Sequence, residues 1–243
     1  MPGKGPGTRQ KKPNKDSFSN GATPLDLKMS VCCCFDANAE PIRVQVTLFL
    51  MIRLNKETKL LGYRGETLIN KIRQRTENLF MTGQLMCSEA VLTVLNQGLK
   101  GGLAPEIAVR IASGLPEGFG KSGCTCGALS AGVIALGLFL GRNGPGILNN
   151  RTVYTASREL HERFKTKFGA TCCRVLTKNI EVGTKSHFRF CARHAGEVSD
   201  QTVRIVLDHE PERLELADWT YLNQTDSKMS ARIKQLTNTL RSK

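Results

Sequence analysis

The sequence predicts an all-α fold: a compact bundle of about five to six helices, with a glycine-rich loop before a central apolar helix and a flexible N-terminal extension. Three observations carry this reading. From Leu68 onward, apolar residues recur at helical spacing. Proline and glycine fall where helices start and stop, as at Pro105 and Gly169. Between residues 65 and 243, strand patterns do not alternate with helical ones.

Residues 1–24 have the Gly/Pro/Lys composition of a tail. Residues 25–63 contain the run Cys32-Cys33-Cys34 and an alternating stretch, Ile42 to Leu48, that has a strand-like period. The extension over 1–63 reads as basic and weakly structured, or as the product of a start codon placed too far upstream, with Met29 and Met51 as alternative starts. Leu68, Ile72, Thr76 and Leu79 then mark a first helix. A second follows Thr82-Gly83, with Cys87, Val91 and Leu95 on one apolar face, and Gly98 to Gly102 ends it. Pro105 opens a third, running to about Ser113. The fourth runs from Cys126 to about Leu140. Arg151 to Phe168 is an amphipathic fifth, closed by Gly169, and a sixth covers about Phe188 to Asp208. Residues 209–243 are a C-terminal extension. In it Met229, Ile233, Leu236 and Leu240 form an apolar stripe suited to docking on the body or on a partner.

The chain has 243 residues, which suits one domain with extensions or two small ones. At 40% hydrophobic residues it can build a core, which excludes wholesale disorder. Its formal charge is +14, but the two ends carry most of it. Residues 1–15 and 228–243 contribute +5 each, with no acid in either, and the middle holds only +4. The body is therefore not a charged groove for nucleic acid, and 6% aromatics is low for a base-stacking platform. No specific nucleic-acid partner is expected.

Nine cysteines cannot all pair within one chain, and Met1 to Lys15 lacks the apolar core of a signal peptide. A cytoplasmic location and redox or metal chemistry follow as expectations. Most of the chemistry lies in Gly123-Cys124-Thr125-Cys126-Gly127 and the small-residue helix after it. A cysteine where a loop becomes a helix meets unpaired backbone N–H groups and the positive end of the dipole, which favour thiolate. Gly120, Gly123 and Gly127 would allow a cofactor, a second thiol or another backbone to approach closely. Cys87, Cys172, Cys173 and Cys191 lie at helix ends or on apolar faces, so a bundle could gather three or four thiols. Four thiolates suit zinc or an iron–sulfur cluster, whereas two suit a reversible disulfide.

Cys87-Ser88-Glu89-Ala90-Val91-Leu92, Ala112-Ser113-Gly114 with the loop beyond it, and Cys126-Gly127-Ala128-Leu129 resemble the C_GCAxxG_C_C family, described as redox-active proteins with four characteristic cysteines. Phe168-Gly169-Ala170-Thr171-Cys172-Cys173-Arg174 and Phe190-Cys191 resemble its third and fourth cysteine segments. The resemblance covers roughly 66–208, which makes 64–208 a helical redox-type domain. It implies that Cys87, Cys126, Cys173 (less so Cys172) and Cys191 are the four cysteines. On this reading Cys126 is the reactive thiolate with Cys87 as its partner, and Cys173 and Cys191 form a second pair. The alternative is a metal or iron–sulfur module that uses the same four as ligands. The sequence departs from the motif at three points. The motif's last glycine falls on Ala131, Pro116 and Glu117 stand where the loop is usually glycine, and Cys124 and Cys172 are extra.

Gly118-Phe119-Gly120-Lys121-Ser122-Gly123 spells a dinucleotide fingerprint and nearly a phosphate-binding loop, but it follows a helix rather than a strand. A P-loop-like nucleotide binder is thus a weak further alternative. The uncharged run Gly123 to Gly141 is long enough to span a bilayer, yet its glycines and cysteines make it only mildly apolar. A buried helix is expected there, with no membrane span. His161, His187, His194 and His209 share no metal-ligand spacing and read as surface residues, although His194 falls three positions after Cys191. An unidentified redox partner protein is implied, and self-association is left open.

Overall fold

The computed structural model describes residues 62–146 and 150–241. The expectations for 1–61 lie outside the described residues. Among those described there is no strand, only an isolated antiparallel bridge between Thr125 and Cys172. The elements are α1 (62–81), α2 (Cys87–Gly98), α3 (Pro105–Ala112), α4 (Pro116–Phe119), α5 (Gly127–Leu140) and α6 (Arg151–Phe168). They continue with α7 (Cys173–Leu176), α8 (Lys185–His209), α9 (Arg213–Leu216), α10 (Trp219–Leu222) and α11 (Lys228–Arg241).

Two helices occupy the middle. α2 carries a single charge, Glu89, and buries every residue from Ala90 to Leu95. It packs on α3, α5 and α8, while α5 packs on α2, α6 and α8. Its neighbours are held by side chains as well as by burial. Ser88 Oγ donates to the Ala112 carbonyl at 3.0 Å, and Asn96 brackets Leu103, donating to its carbonyl and accepting from its amide. The uncharged run after Gly123 folds as a 14-residue helix, and Gly132 lets α5 meet Leu160 of α6 and Val198 of α8 closely. No described helix is long and apolar enough to cross a membrane.

Helix ends follow their local chemistry. Pro105 is at the first turn of α3, and Gly169, with φ 78°, closes α6. The N-terminus of α8 lies one turn earlier than the sequence suggests, because the Thr184 hydroxyl accepts the His187 amide proton. That extra turn matters, since it brings His187 onto the helix. On α11, Met229, Ile233 and Leu236 are exposed and do not dock on the body, whereas Ala231 is buried.

Candidate functional site

Four separate elements each deliver a cysteine to one cavity. Cys87 is the first residue of α2, Cys126 precedes α5 as its N-cap, Cys173 opens α7, and Cys191 sits in α8. All four line a cavity of about 140 Å³ whose other walls include Phe80, Met86, Leu176, Phe188 and Phe190. Glu117 is the sole carboxylate in that lining.

The glycine-rich loop builds one side of the site. Five consecutive residues, Glu117 to Lys121, have positive φ: 56°, 71°, 61°, 60° and 70°. Three of them are not glycine, and each costs about 1–2 kcal/mol in this conformation. The turn aims the Glu117 amide at the Cys87 sulfur. It also lays Gly118 on the chain beyond, where a Cβ would sit 2.6 Å from the Cys124 nitrogen and 2.9 Å from the Cys173 Cβ. The loop amides are engaged internally: Gly120 donates to the Pro116 carbonyl, Gly123 to Glu117 and Cys124 to Gly118. A phosphate-cradling reading needs those amides free, and no strand precedes the loop among the described residues.

Residues 123–126 then pair with 171–174. Cys126 N–H donates to the Thr171 carbonyl at 2.7 Å, Cys173 N–H to Cys124 at 2.6 Å, and Arg174 N–H to Gly123 at 3.0 Å. Side chains alternate across such a pair. Cys173 accordingly faces the cavity that Cys126 also lines, while its neighbour Cys172 turns away and its thiol donates to the Gly123 carbonyl at 3.4 Å; Cys124 is exposed. This pairing decides which of the adjacent cysteines reaches the site, and it is Cys173.

Burial sets the electrostatics. The backbone N–H groups of Ala128 and Leu129 do favour a thiolate at Cys126, as its helix N-terminal position suggests. Desolvation is the larger effect and pushes the Cys126 pKa up to about 12. The helix N-terminal amides thus act on Cys126 against a larger opposing effect of burial. Cys87 is also raised, first by burial, although the amides of Glu117, Ser88 and Cys87 itself pull the other way. Burial raises Cys173, helped by the Glu117 carboxylate. Cys191 is raised strongly by burial and by repulsion from the other three sulfurs.

The glycines proposed for close approach of a cofactor have backbone roles. At Gly127 a Cβ would lie 2.5 Å from the Leu115 carbonyl oxygen, and Gly123 packs against Arg174. Gly120 and Gly123 are not in the cavity lining.

Two histidines read as surface residues are buried in the lining. His187 accepts the Gly183 amide proton at Nδ1 (3.4 Å), which leaves Nε2 as the donor 3.6 Å from the Cys191 sulfur. His194 donates from Nδ1 to the Phe190 carbonyl at 2.7 Å and stacks on Phe168, and its Nε2 is buried without a partner. Burial lowers its pKa. The signal available for His187 was its spacing, four residues before Cys191 on one helix.

As for a metal, the described residues hold no group of three or more His, Cys, Asp or Glu side chains placed to bind one. The four cysteines line a common space without forming such a group.

All four cavity cysteines fall within residues 85–205, which match the family described as "Putative redox-active protein (C_GCAxxG_C_C)". The chain belongs to this family. Within the C_GCAxxG_C_C segment lie α2 to α7 and most of α8, so the matched region includes both central helices. No curated protein and no solved structure matches the chain.

Proposed function

We propose that this C_GCAxxG_C_C protein carries out reversible thiol–disulfide exchange within the four-cysteine cavity. The observation that supports it is convergence. Cysteines from α2, α5, α7 and α8, far apart in sequence, line one small and largely apolar space. Their sulfurs are close enough to raise one another's pKa.

The roles of Cys87 and Cys126 are reversed relative to the expectation from the motif. At Cys87 burial still raises the pKa, but three backbone amides oppose it and the residue is less buried than Cys126. Cys87 attacks a substrate disulfide as thiolate, breaking its S–S bond. One half leaves as a thiolate and the other half remains bound to Cys87. Cys126 then loses its proton and attacks the Cys87 sulfur, releasing the second half. Two electrons pass to the substrate, and a Cys87–Cys126 disulfide remains. Cys173 and Cys191 form the second pair, with the His187 N–H placed to stabilise a thiolate at Cys191. A cytoplasmic location accords with this reading, since the compartment keeps such thiols reduced.

Cys126→Ser should trap substrate as a mixed disulfide on Cys87, and Cys87→Ser should abolish the reaction; intact-mass spectrometry distinguishes the two. Trapping in Cys87→Ser instead would reverse the roles. Iron or zinc near one equivalent per chain, in protein purified without oxygen or a metal-affinity tag, would replace the exchange mechanism with the metal-module alternative.

A further inference from the structure

We propose that the cationic groove formed by the end of α1 and the starts of α8 and α11 takes up an anionic disulfide substrate. Its carboxylates are held by Lys185, Arg189, Lys228 and Arg232 while its sulfur–sulfur bond enters the thiol cavity. This deepens the exchange reading and rests on it.

The groove has a volume of about 540 Å³, within the ordinary range of small-ligand sites. Four cations line it and no carboxylate does. Elsewhere several surface cations sit on acids, as in Arg64–Glu215, Lys100–Asp218 and Arg204–Glu66, and ones unpaired among the described residues, such as Arg110, Lys121 and Lys178, are not gathered around this opening. None of the four groove cations pairs with an acid among the described residues.

Their placement is also unfavourable without a ligand. Lys185 and Lys228 are the first residues of α8 and α11, where the positive ends of two helix dipoles oppose a cation. Like charges gathered around one opening repel one another as well. A bound anion relieves both costs, and a helix of this length offers its N-terminus to negative charge.

The groove and the cavity share two walls. Phe80 and Phe188 line both, with ring centroids 5.9 Å apart, and Phe188 is 40% exposed. A ligand whose charge rests on the four cations can therefore extend its apolar middle past Phe188 toward Cys87. The covalent step is the one given above. The substrate S–S bond breaks, two protein thiols lose two electrons and two protons, and two anionic thiols leave.

The test compares three disulfides of similar size as oxidants of the reduced full chain. They are dithiodipropionate, which is anionic, hydroxyethyl disulfide, which is neutral, and cystamine, which is cationic. At low salt the anionic disulfide should react about tenfold or more faster than the cationic one, with the neutral one between. The difference should shrink toward unity at about 1 M salt, where screening acts over about 3 Å. The double substitution Arg189→Glu with Arg232→Glu brings the groove's four charges to a net of zero and should abolish the order. Because both residues are exposed, circular dichroism should report an unchanged helical fold. Suberate, the all-carbon isostere of dithiodipropionate, should bind the original chain, slow the anionic reaction and fail to bind the double variant. Oxidation by all three with no charge order, or an order unchanged by the substitutions, overturns the groove and leaves thiol exchange standing. Oxidation by none of them, with suberate still bound, overturns the exchange reading itself.

Discussion

Cys126 sits where two local effects oppose each other. Amides at the start of α5 favour its thiolate, but burial favours the neutral thiol more strongly, and its pKa rises to about 12. Alkylation of Cys126 by iodoacetamide in the native protein should therefore be slow at neutral pH and keep rising to about pH 12. A plateau below pH 9, read by peptide mass spectrometry, would contradict this. The same shift affects stability. A thiol whose pKa is raised by folding holds its proton longer in the fold than in the open chain, so stability falls as pH rises from about 9 toward 12. His194 acts at the other end. Its depressed pKa means the unfolded chain takes up the proton first, so stability falls as pH drops below about 6.5. The denaturation midpoint against pH should thus decline on both sides. The N-cap position of Cys126 was legible from the glycines around it, but the depth of its burial was not. It depends on Thr171 and Leu115, which approach from other parts of the chain.

Elements meet the site through close backbone contact. In Gly132→Ala the added methyl would lie 2.6 Å from a Val198 methyl and 2.9 Å from one of Leu160. Chemical denaturation should show a loss of about 1–3 kcal/mol, the usual cost of overpacking. The loop should respond in the opposite sense. Glu117→Gly removes a non-glycine residue from φ 56° and should gain about 1 kcal/mol. It also removes the carboxylate that helps raise Cys173, which should then alkylate at lower pH; slower alkylation would contradict the assigned cause. Most helices were legible because Leu68, Pro105 and Gly169 follow local rules of period and capping. The left-handed run from Glu117 to Lys121 was not, since a single acid among glycines does not announce positive φ. The pairing of 123–126 with 171–174 is non-local, so no window of sequence contains it.

On the scale of the whole molecule, the C-terminal segment is fastened to the first helix by a buried ion pair. Arg75 donates to Asp226 at 2.8 Å and to the Gln224 carbonyl at 3.1 Å, while Asn78 exchanges hydrogen bonds with the Asp226 backbone. Arg75→Met removes the guanidinium from a buried carboxylate and should cost about 3–5 kcal/mol in equilibrium unfolding. A loss below about 1 kcal/mol would mean the segment is held by packing alone. The bundle brings Cys87, Cys126, Cys173 and Cys191 to one cavity, and their exchange chemistry there is the proposal to test first. The most direct measurement is disulfide mapping after mild, stoichiometric oxidation of the full chain, followed by reduction and a thiol count. The account predicts loss of two thiols per chain, an intramolecular Cys87–Cys126 bond and full recovery on reduction. Bonds only between chains, or only through the outward Cys124 and Cys172, would contradict it.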